Sequence, residues 1–212
     1  MLDTAKFWDK HADKYAQTPI TDEAAYAATL DRVRTYLSSS HKVLEIGCGT
    51  GSTALSLAPH VGQMSATDLS EKMVGHGRRK AQRQGVSNID FRVADMMAPE
   101  LTEQTFDVVM AFNLLHLVHD FDGALSRAHA MLKPGGLFIS KTICKPVKRA
   151  PLKYYVMMTV LPVMQAFGKA PMVRVLPIEE FEGRIINAGF KIIETGNYPD
   201  NPPRRFVVAR KE

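Results

Sequence analysis

A chain of 212 residues fits one domain with a sizeable core and room for a small cap. With 45% hydrophobic and 23% charged residues, the composition excludes global disorder. A formal charge of +5 suits an anionic surface or substrate, but by itself it is too mild to mark a nucleic-acid-binding protein.

The start, MLDTAKFWDKHADKY, is charged and lacks the apolar core of a signal peptide, so a cytoplasmic protein is expected. Asp3 to Ala16 reads as an amphipathic helix with Thr4 as N-cap and Phe7, Trp8, Ala12 and Tyr15 available for burial. Thr18-Pro19-Ile20 breaks it, and Asp22 to Leu37 reads as a second helix. Val43 to Ile46 is short and apolar, as a buried parallel strand should be, apart from the carboxylate of Glu45. Glycines follow at 47, 49 and 51, and Ser52 to Ala58 then reads as a helix. A strand, a glycine turn and a helix start let backbone amides approach a nucleotide closely.

Gly49-x-Gly51-x-x-Ala54 fits the loose form of a dinucleotide fingerprint, so a nicotinamide oxidoreductase is one reading. The acids that follow separate it from another. Asp68 closes a second strand, Met64 to Thr67, where an acid can hold ribose hydroxyls in either case. Asp95 closes a third strand, Ile89 to Ala94, and an acid there is foreign to the dinucleotide pattern.

Ser70 is the expected N-cap of a helix over Glu71 to Gln84, which Gly75 and Gly77 should weaken. The run Arg78-Arg79-Lys80 with Arg83 has no interleaved aromatics and reads as a solvated helix face rather than a nucleic-acid site. The loop Asp95 to Pro99 precedes a buried fourth strand, Phe106 to Phe112, and then Asn113-Leu114-Leu115-His116. A helix from His119 to Leu132, a Pro134-Gly135-Gly136 turn and a fifth strand, LFISKTI, come next.

Lys145, Lys148, Arg149 and Lys153 open a segment containing the apolar run Tyr154 to Phe167. That run is shorter than the roughly 20 residues a bilayer crossing needs, and Pro162 interrupts it. It reads as a lid over an apolar acceptor or as a weak membrane-surface contact through 145–167. Glu179 to Ala188 forms a helix stopped by Gly189, and Phe190 to Thr195 with Arg205 to Ala209 forms a closing hairpin. Cys48 and Cys144 have no zinc or disulfide spacing, and none of the seven histidines forms a metal-ligand set with nearby carboxylates.

The ordered set E-x-G-C-G-T-G, T-D-L-S, A-D-M, F-D-V-V-M-A-F-N-L-L-H and L-K-P-G-G, spanning Val43 to Ser140, resembles the class I S-adenosylmethionine-dependent methyltransferases. The resemblance implies a doubly wound α/β fold with a mostly parallel seven-stranded sheet, its last strand antiparallel, plus a small helical lid. It divides one domain, 1–212, into an N-terminal helical cap (1–40), a cofactor core (41–143), a lid (144–177) and a C-terminal helix and hairpin (178–212).

The resemblance also implies that S-adenosylmethionine is held by Glu45, Gly47, Cys48, Gly49, Gly51, Asp68, Leu69, Met73, Asp95, Met96 and Asn113. Asp68 would take the ribose hydroxyls, Asp95 the adenine amine, and Met73 the adenine ring. The segment Trp8-Asp9 to Ala12 and Tyr15 is similar to a family segment whose tyrosine reaches the cofactor's methionine end. Adenine amino-methyltransferases carry an N/D-P-P-Y/F motif after the fourth strand. Here Asn201-Pro202-Pro203 lies between the last two strands instead, as a turn.

The expected function is methyl transfer to a small, hydrophobic acceptor, with His116 as the candidate general base because imidazole titrates near neutral pH. A cofactor-binding regulatory protein without turnover is the reading from a different class.

Overall fold

The computed structural model describes residues 3–98, 101 and 105–212. Pro99, the end of the expected loop after the third strand, lies outside them. The seven strands are β1 (Lys42–Ile46), β2 (Gln63–Asp68), β3 (Ile89–Val93), β4 (Phe106–Phe112), β5 (Leu132–Ile143), β6 (Phe190–Asn197) and β7 (Arg204–Lys211). They form one sheet in the order β3-β2-β1-β4-β5-β7-β6, in which β7 runs antiparallel to both of its neighbours. The order reverses between β1 and β4. There the crossovers leave to opposite faces and open a crevice beyond the strands' carboxyl ends.

Two apolar layers cover the sheet. Leu44, Val109, Ala111, Phe138 and Val207 face α5 (Phe121–Ala130) and α7 (Ile178–Asn187). Val43, Val108, Met110, Ile139 and Phe206 face the side of α2 (Glu23–Arg34), α3 (Ser52–Leu57) and α4 (Glu71–Gln84). Alternation along each strand therefore decides which face any side chain serves, and both faces are buried, as a parallel sheet requires.

The N-terminal helix α1 (Thr4–Gln17) is capped by Asp3, whose carboxylate accepts from the Lys6 amide at 3.2 Å. That corrects the expectation for Thr4, which instead starts the helix. Asp22 likewise caps α2, Ser70 caps α4 as expected, and Asp120 caps α5. Phe7 and Ala12 are buried, whereas Tyr15 is 51% exposed. The strand starting at Leu132 takes in the Pro134-Gly135-Gly136 turn, with a register shift opposite Phe106 to Val108. The helix α6 (Leu152–Ala166) contains Pro162, and no helix among the described residues is long and apolar enough to cross a membrane.

The two glycines that weaken α4 differ in purpose. A Cβ on Gly77 would lie 2.5 Å from a ring carbon of the buried Phe91, and one on Gly51 would lie 2.6 Å from the same ring. Phe91 is thus wedged between α4 and the glycine turn, and both glycines make room for it. Gly75 has only the flexible Arg79 guanidinium near it, at 3.4 Å. Gly77→Ala should therefore cost about 1–3 kcal/mol through overpacking, even against the helix propensity it gains. Gly75→Ala should be neutral or stabilise by up to about 1 kcal/mol. Urea unfolding of the two variants separates these outcomes.

Candidate active site

The glycine turn lies between β1 and α3, with Gly47, Gly49 and Gly51 at φ of 65°, 53° and 76°. These are left-handed values that side-chain-bearing residues adopt only under strain. The Cys48 amide donates to the Thr67 carbonyl at 2.9 Å, which fixes the turn to the end of β2. One oxygen of Asp68 accepts from the Gly49 amide and the other from the Ser70 amide, both at 2.9 Å. Burial still pushes the Asp68 carboxyl pKa upward, against those two amides, which pull it down.

The Ser70 hydroxyl accepts from the Met73 amide at 3.1 Å and donates to Asp9 at 2.6 Å, and Asp9 also accepts from the Lys72 amide at 3.1 Å. Asp13 meets His76 at 2.8 Å one turn further along. Asp9 and Asp13 thus clamp α1 along α4 and hold Tyr15 over the turn. The Tyr15 ring lies 3.8 Å from where a Cβ on Gly49 would stand. Desolvation raises the pKa of its phenol, against the pull of the Arg204 charge.

Beyond the strand ends lies a cleft of about 1300 Å³. Of the residues expected to hold the cofactor, Tyr15, Glu45, Gly47, Cys48, Gly49, Asp68, Leu69, Met73, Asp95, Met96 and Asn113 all line it. Gly51 does not. Its place is behind the turn, where it admits the Phe91 ring. Asp95 is exposed and accepts from the Met97 amide at 2.8 Å. Met73 is buried at the head of α4. Among the described residues no cluster of side chains could hold a metal ion.

Glu45 is buried in the cleft wall, and its Oε2 has no hydrogen-bond partner among the described residues. Burial pushes its pKa up to about 8, helped by the nearby Asp68 charge and opposed by a backbone hydrogen bond from Ala54. An orphaned carboxyl beside a glycine turn is what a ligand carrying positive charge would satisfy. The residues therefore fit S-adenosylmethionine, whose sulfonium and ammonium are both cationic.

His116 does not line the cleft. Its ring Nδ1 lies 3.0 Å from the Thr142 hydroxyl, on the sheet face of α5 and α7, and its backbone carbonyl accepts from the Arg174 amide at 2.7 Å. Burial, with a contribution from Arg204, pushes its pKa down to about 4. The structure differs here from the expectation of a general base facing the cleft: the imidazole stands off the cleft lining, against Thr142. His119, three residues on, is exposed and does line the cleft.

Sequence reasoning missed Lys141 and Arg204, which line the same cleft, and Asp9, which anchors α1. A lysine in the middle of the apolar LFISKTI strand was the available signal for the first. The basic run after Gly77 is partly consumed internally. Arg78 donates to the Phe91 carbonyl at 2.6 Å, and Lys80 donates to the Thr50 and Ser52 hydroxyls at 3.1 and 3.0 Å.

Comparison with known proteins converges on the same core. Residues 43–136 match the methyltransferase domain family. A ubiquinone biosynthesis O-methyltransferase of Sinorhizobium medicae is 28% identical over 161 residues, which cover 76% of this chain and 64% of that protein. An iterative polyketide synthase, afoE, of Emericella nidulans is 29% identical over 181 residues, which cover 79% of this chain and 6% of the synthase. The chain thus spans less than two thirds of the length of either relative. The crystal structure of magnesium protoporphyrin IX methyltransferase from Synechocystis PCC 6803, with bound SAH, shares the fold. Its TM-score is 0.72 at 18% identity, over 99% of this chain and 98% of that one. Residues 43–136 are thus similar to the methyltransferase domain family, and the seven-stranded order with its glycine turn backed by Asp68 is the arrangement that a class I S-adenosylmethionine-dependent methyltransferase fold requires.

Proposed function

We propose that this protein transfers a methyl group from S-adenosylmethionine to a small, hydrophobic acceptor, within one domain (1–212) whose cap, 1–40, and insertion, 144–177, flank the cofactor core. The observation that carries this reading is the junction at the switch point, where Asp68 is held by the Gly49 and Ser70 amides beside the orphaned Glu45 carboxyl. Bound S-adenosylmethionine supplies an electrophilic methyl: the acceptor's lone pair forms the new bond as the carbon–sulfur bond breaks, its electrons returning to sulfur to give S-adenosylhomocysteine. The chain's own residues position, desolvate and neutralise. Asp68 accepts from the ribose hydroxyls, Asp95 takes the adenine amine, and Met73 packs under the adenine ring. Gly47 and Gly49 admit the methionine end, which Tyr15 covers. We place the protein in the cytoplasm, where buried free thiols such as Cys48 and Cys144 persist. Incubating the protein with methyl-labelled cofactor and a metabolite extract tests the activity: a labelled product supports it, and cofactor binding without any product leaves the regulatory reading instead.

The inner edge of α6 faces the cleft through Lys153, Tyr154 and Met157. Its outward side chains include Val156, Val160 and Val163, and the flanking Val147, Leu152 and Phe167 are 78%, 77% and 74% exposed. Lys145, Lys148 and Arg149 precede this face in the chain. Lid and surface contact are therefore compatible roles for one helix, its inside touching the acceptor and its outside touching an anionic lipid surface. Wild-type protein should co-sediment with phosphatidylserine vesicles, and replacing Lys145, Lys148 and Arg149 by Gln should weaken this by roughly tenfold. Equal partition to neutral and anionic vesicles would remove the surface contact and leave the lid.

Asp68→Ala removes two charge-assisted hydrogen bonds to the ribose, worth roughly 1.5–3 kcal/mol each. S-adenosylmethionine affinity should fall by one to several decades in calorimetry, while NAD should bind to neither protein.

Glu45 ionises near 4.5 in the unfolded chain and near 8 in the folded one. Its contribution to stability is thus fully present below the lower value and is lost as pH rises through the higher. Glu45→Gln should flatten that decline in a series of melting temperatures across the same window. Cationic cofactor reverses the preference, so at about pH 7 its binding should release close to one proton per site. Calorimetry in buffers of different ionisation enthalpy reads that proton, and the Gln variant should lose it.

A further inference from the structure

The cleft has a cationic side where β5 ends and β7 begins, next to Asn113. Lys141 lies near the end of β5, only 6% exposed, and its Nζ donates to the Thr29 hydroxyl on α2 at 2.8 Å. Arg204 opens β7, and its guanidinium donates to the Asn113 side-chain oxygen at 2.7 Å. Both line the cleft. Both hydrogen-bond partners are neutral, and neither cation has an ion pair among the described residues. Asp22, the acid whose charge reaches Lys141, is occupied as the N-cap of α2, accepting from the Ala25 amide at 2.9 Å.

We propose that Lys141 and Arg204 form a subsite for an anionic oxygen group, a carboxylate or a phenolate, on the methyl acceptor. The inference rests on the methyltransferase reading and names the substrate class for it. Strand order assigns the subsite to the acceptor. Most of the residues that would hold the cofactor stand at the ends of β1, β2 and β3, whereas Lys141 and Arg204 stand on β5 and β7, past the reversal, and meet the cofactor candidates at Asn113. Phe112, beside Lys141 in the register, and Tyr198 also line this end, so an aromatic or otherwise apolar body can accompany the charge.

Desolvation makes an anion necessary here rather than merely welcome. A buried ammonium with only a hydroxyl for company is costly, and its pKa falls to about 8 through burial first and Arg204 second. An acceptor anion between the two charges would offset both terms. The same positions would favour ionisation of an acidic hydroxyl next to the methyl group, which is the work expected of His116 and not available from it.

The test uses the full chain as wild type, Lys141→Met, Lys141→Arg and Arg204→Met, at about pH 7, where most of the lysine is charged. With saturating S-adenosylhomocysteine, calorimetry compares benzoate with methyl benzoate, and absorbance follows the ionisation of 4-nitrophenol. Preference for benzoate over its ester by roughly 10-fold to 100-fold identifies a carboxylate. A downward shift of the nitrophenol ionisation on binding identifies a phenolate. Either signal should fall at least about tenfold in Lys141→Met and Arg204→Met and persist within a few-fold in Lys141→Arg.

Charge-blind binding of all three probes, or signals indifferent to both Met variants, would overturn the subsite. Loss of S-adenosylhomocysteine affinity in the Met variants would also overturn it, by giving the cations to the cofactor's carboxylate. If the wild type binds no S-adenosylhomocysteine, the methyltransferase reading fails, while the benzoate comparison, repeated without it, still decides the subsite. Arg204 is exposed, so its variant remains informative if Lys141→Met does not fold.

Discussion

Two hydrogen bonds to one carboxylate organise this molecule. Asp68 takes the Gly49 amide on one oxygen and the Ser70 amide on the other, and so ties the turn after β1 to the start of α4. Everything on the cofactor side hangs from that junction. Ser70, once fixed, caps α4 through the Met73 amide and catches Asp9; Asp9 docks α1; and α1 brings Tyr15 over the glycine turn. Each charge-assisted bond contributes roughly 1.5–3 kcal/mol at most, but together they fix parts that are distant in sequence, where rigidity matters more than the sum. The backbone amides hold Asp68 from one side and leave its carboxylate on the cleft wall, so a structural bond and a binding group are the same atoms.

The cleft is electrostatically divided along the strand order. Carboxyl groups at Glu45, Asp68 and Asp95 gather where β1, β2 and β3 end, and cations at Lys141 and Arg204 gather where β5 ends and β7 begins. Three of these groups are shifted in the direction that burial dictates: Glu45 and Asp68 upward, Lys141 downward. A site that meets a cation at one end and an anion at the other can keep such groups apart in the free protein and neutralise both ends on filling. The cost of holding them unpaired is what makes this region a site rather than more core.

The cleft lining after β1, β2 and β3 was legible in the sequence and the lining at β5 and β7 was not, for a physical reason. Glycines at 47, 49 and 51, and acids placed directly after apolar strands, leave a local signature, because a parallel strand's end is where its chain meets the ligand. The strands themselves were legible as short apolar runs, and Phe106–Phe112 and the helix after Ser70 agree with the expectation residue for residue. Lys141 was hidden because a single cation in a strand does not reveal which face it serves. Thr142 and His116 pair on one face and Lys141 with Thr29 on the other, so one residue of parity separates a site residue from a packed one. His116 was misjudged for the same reason: position after a strand was read, and side-chain direction was not. Asp9 and Gly77 act across contacts with α4 and Phe91 that no local pattern encodes.

The insertion before α7 obeys a different constraint. A helix that covers a cleft can bury only the stripe facing it, and in α6 Tyr154 is the buried residue while most of the apolar side chains point outward. The ends of the insertion, rather than α6 itself, are tied to the core: the Cys144 amide donates to the Pro203 carbonyl at 2.9 Å, the Arg174 amide to the His116 carbonyl at 2.7 Å, and Asn201 to the Arg149 carbonyl at 2.9 Å. Few buried contacts mean a low free energy of local opening. Opening would expose the acceptor end of the cleft, beside Lys141 and Arg204, and spare the Asp68 junction several strands away. In the proposed function, that contrast between the bonded Asp68 junction and the thinly buried α6 would let an acceptor enter and leave without dismantling the cofactor site.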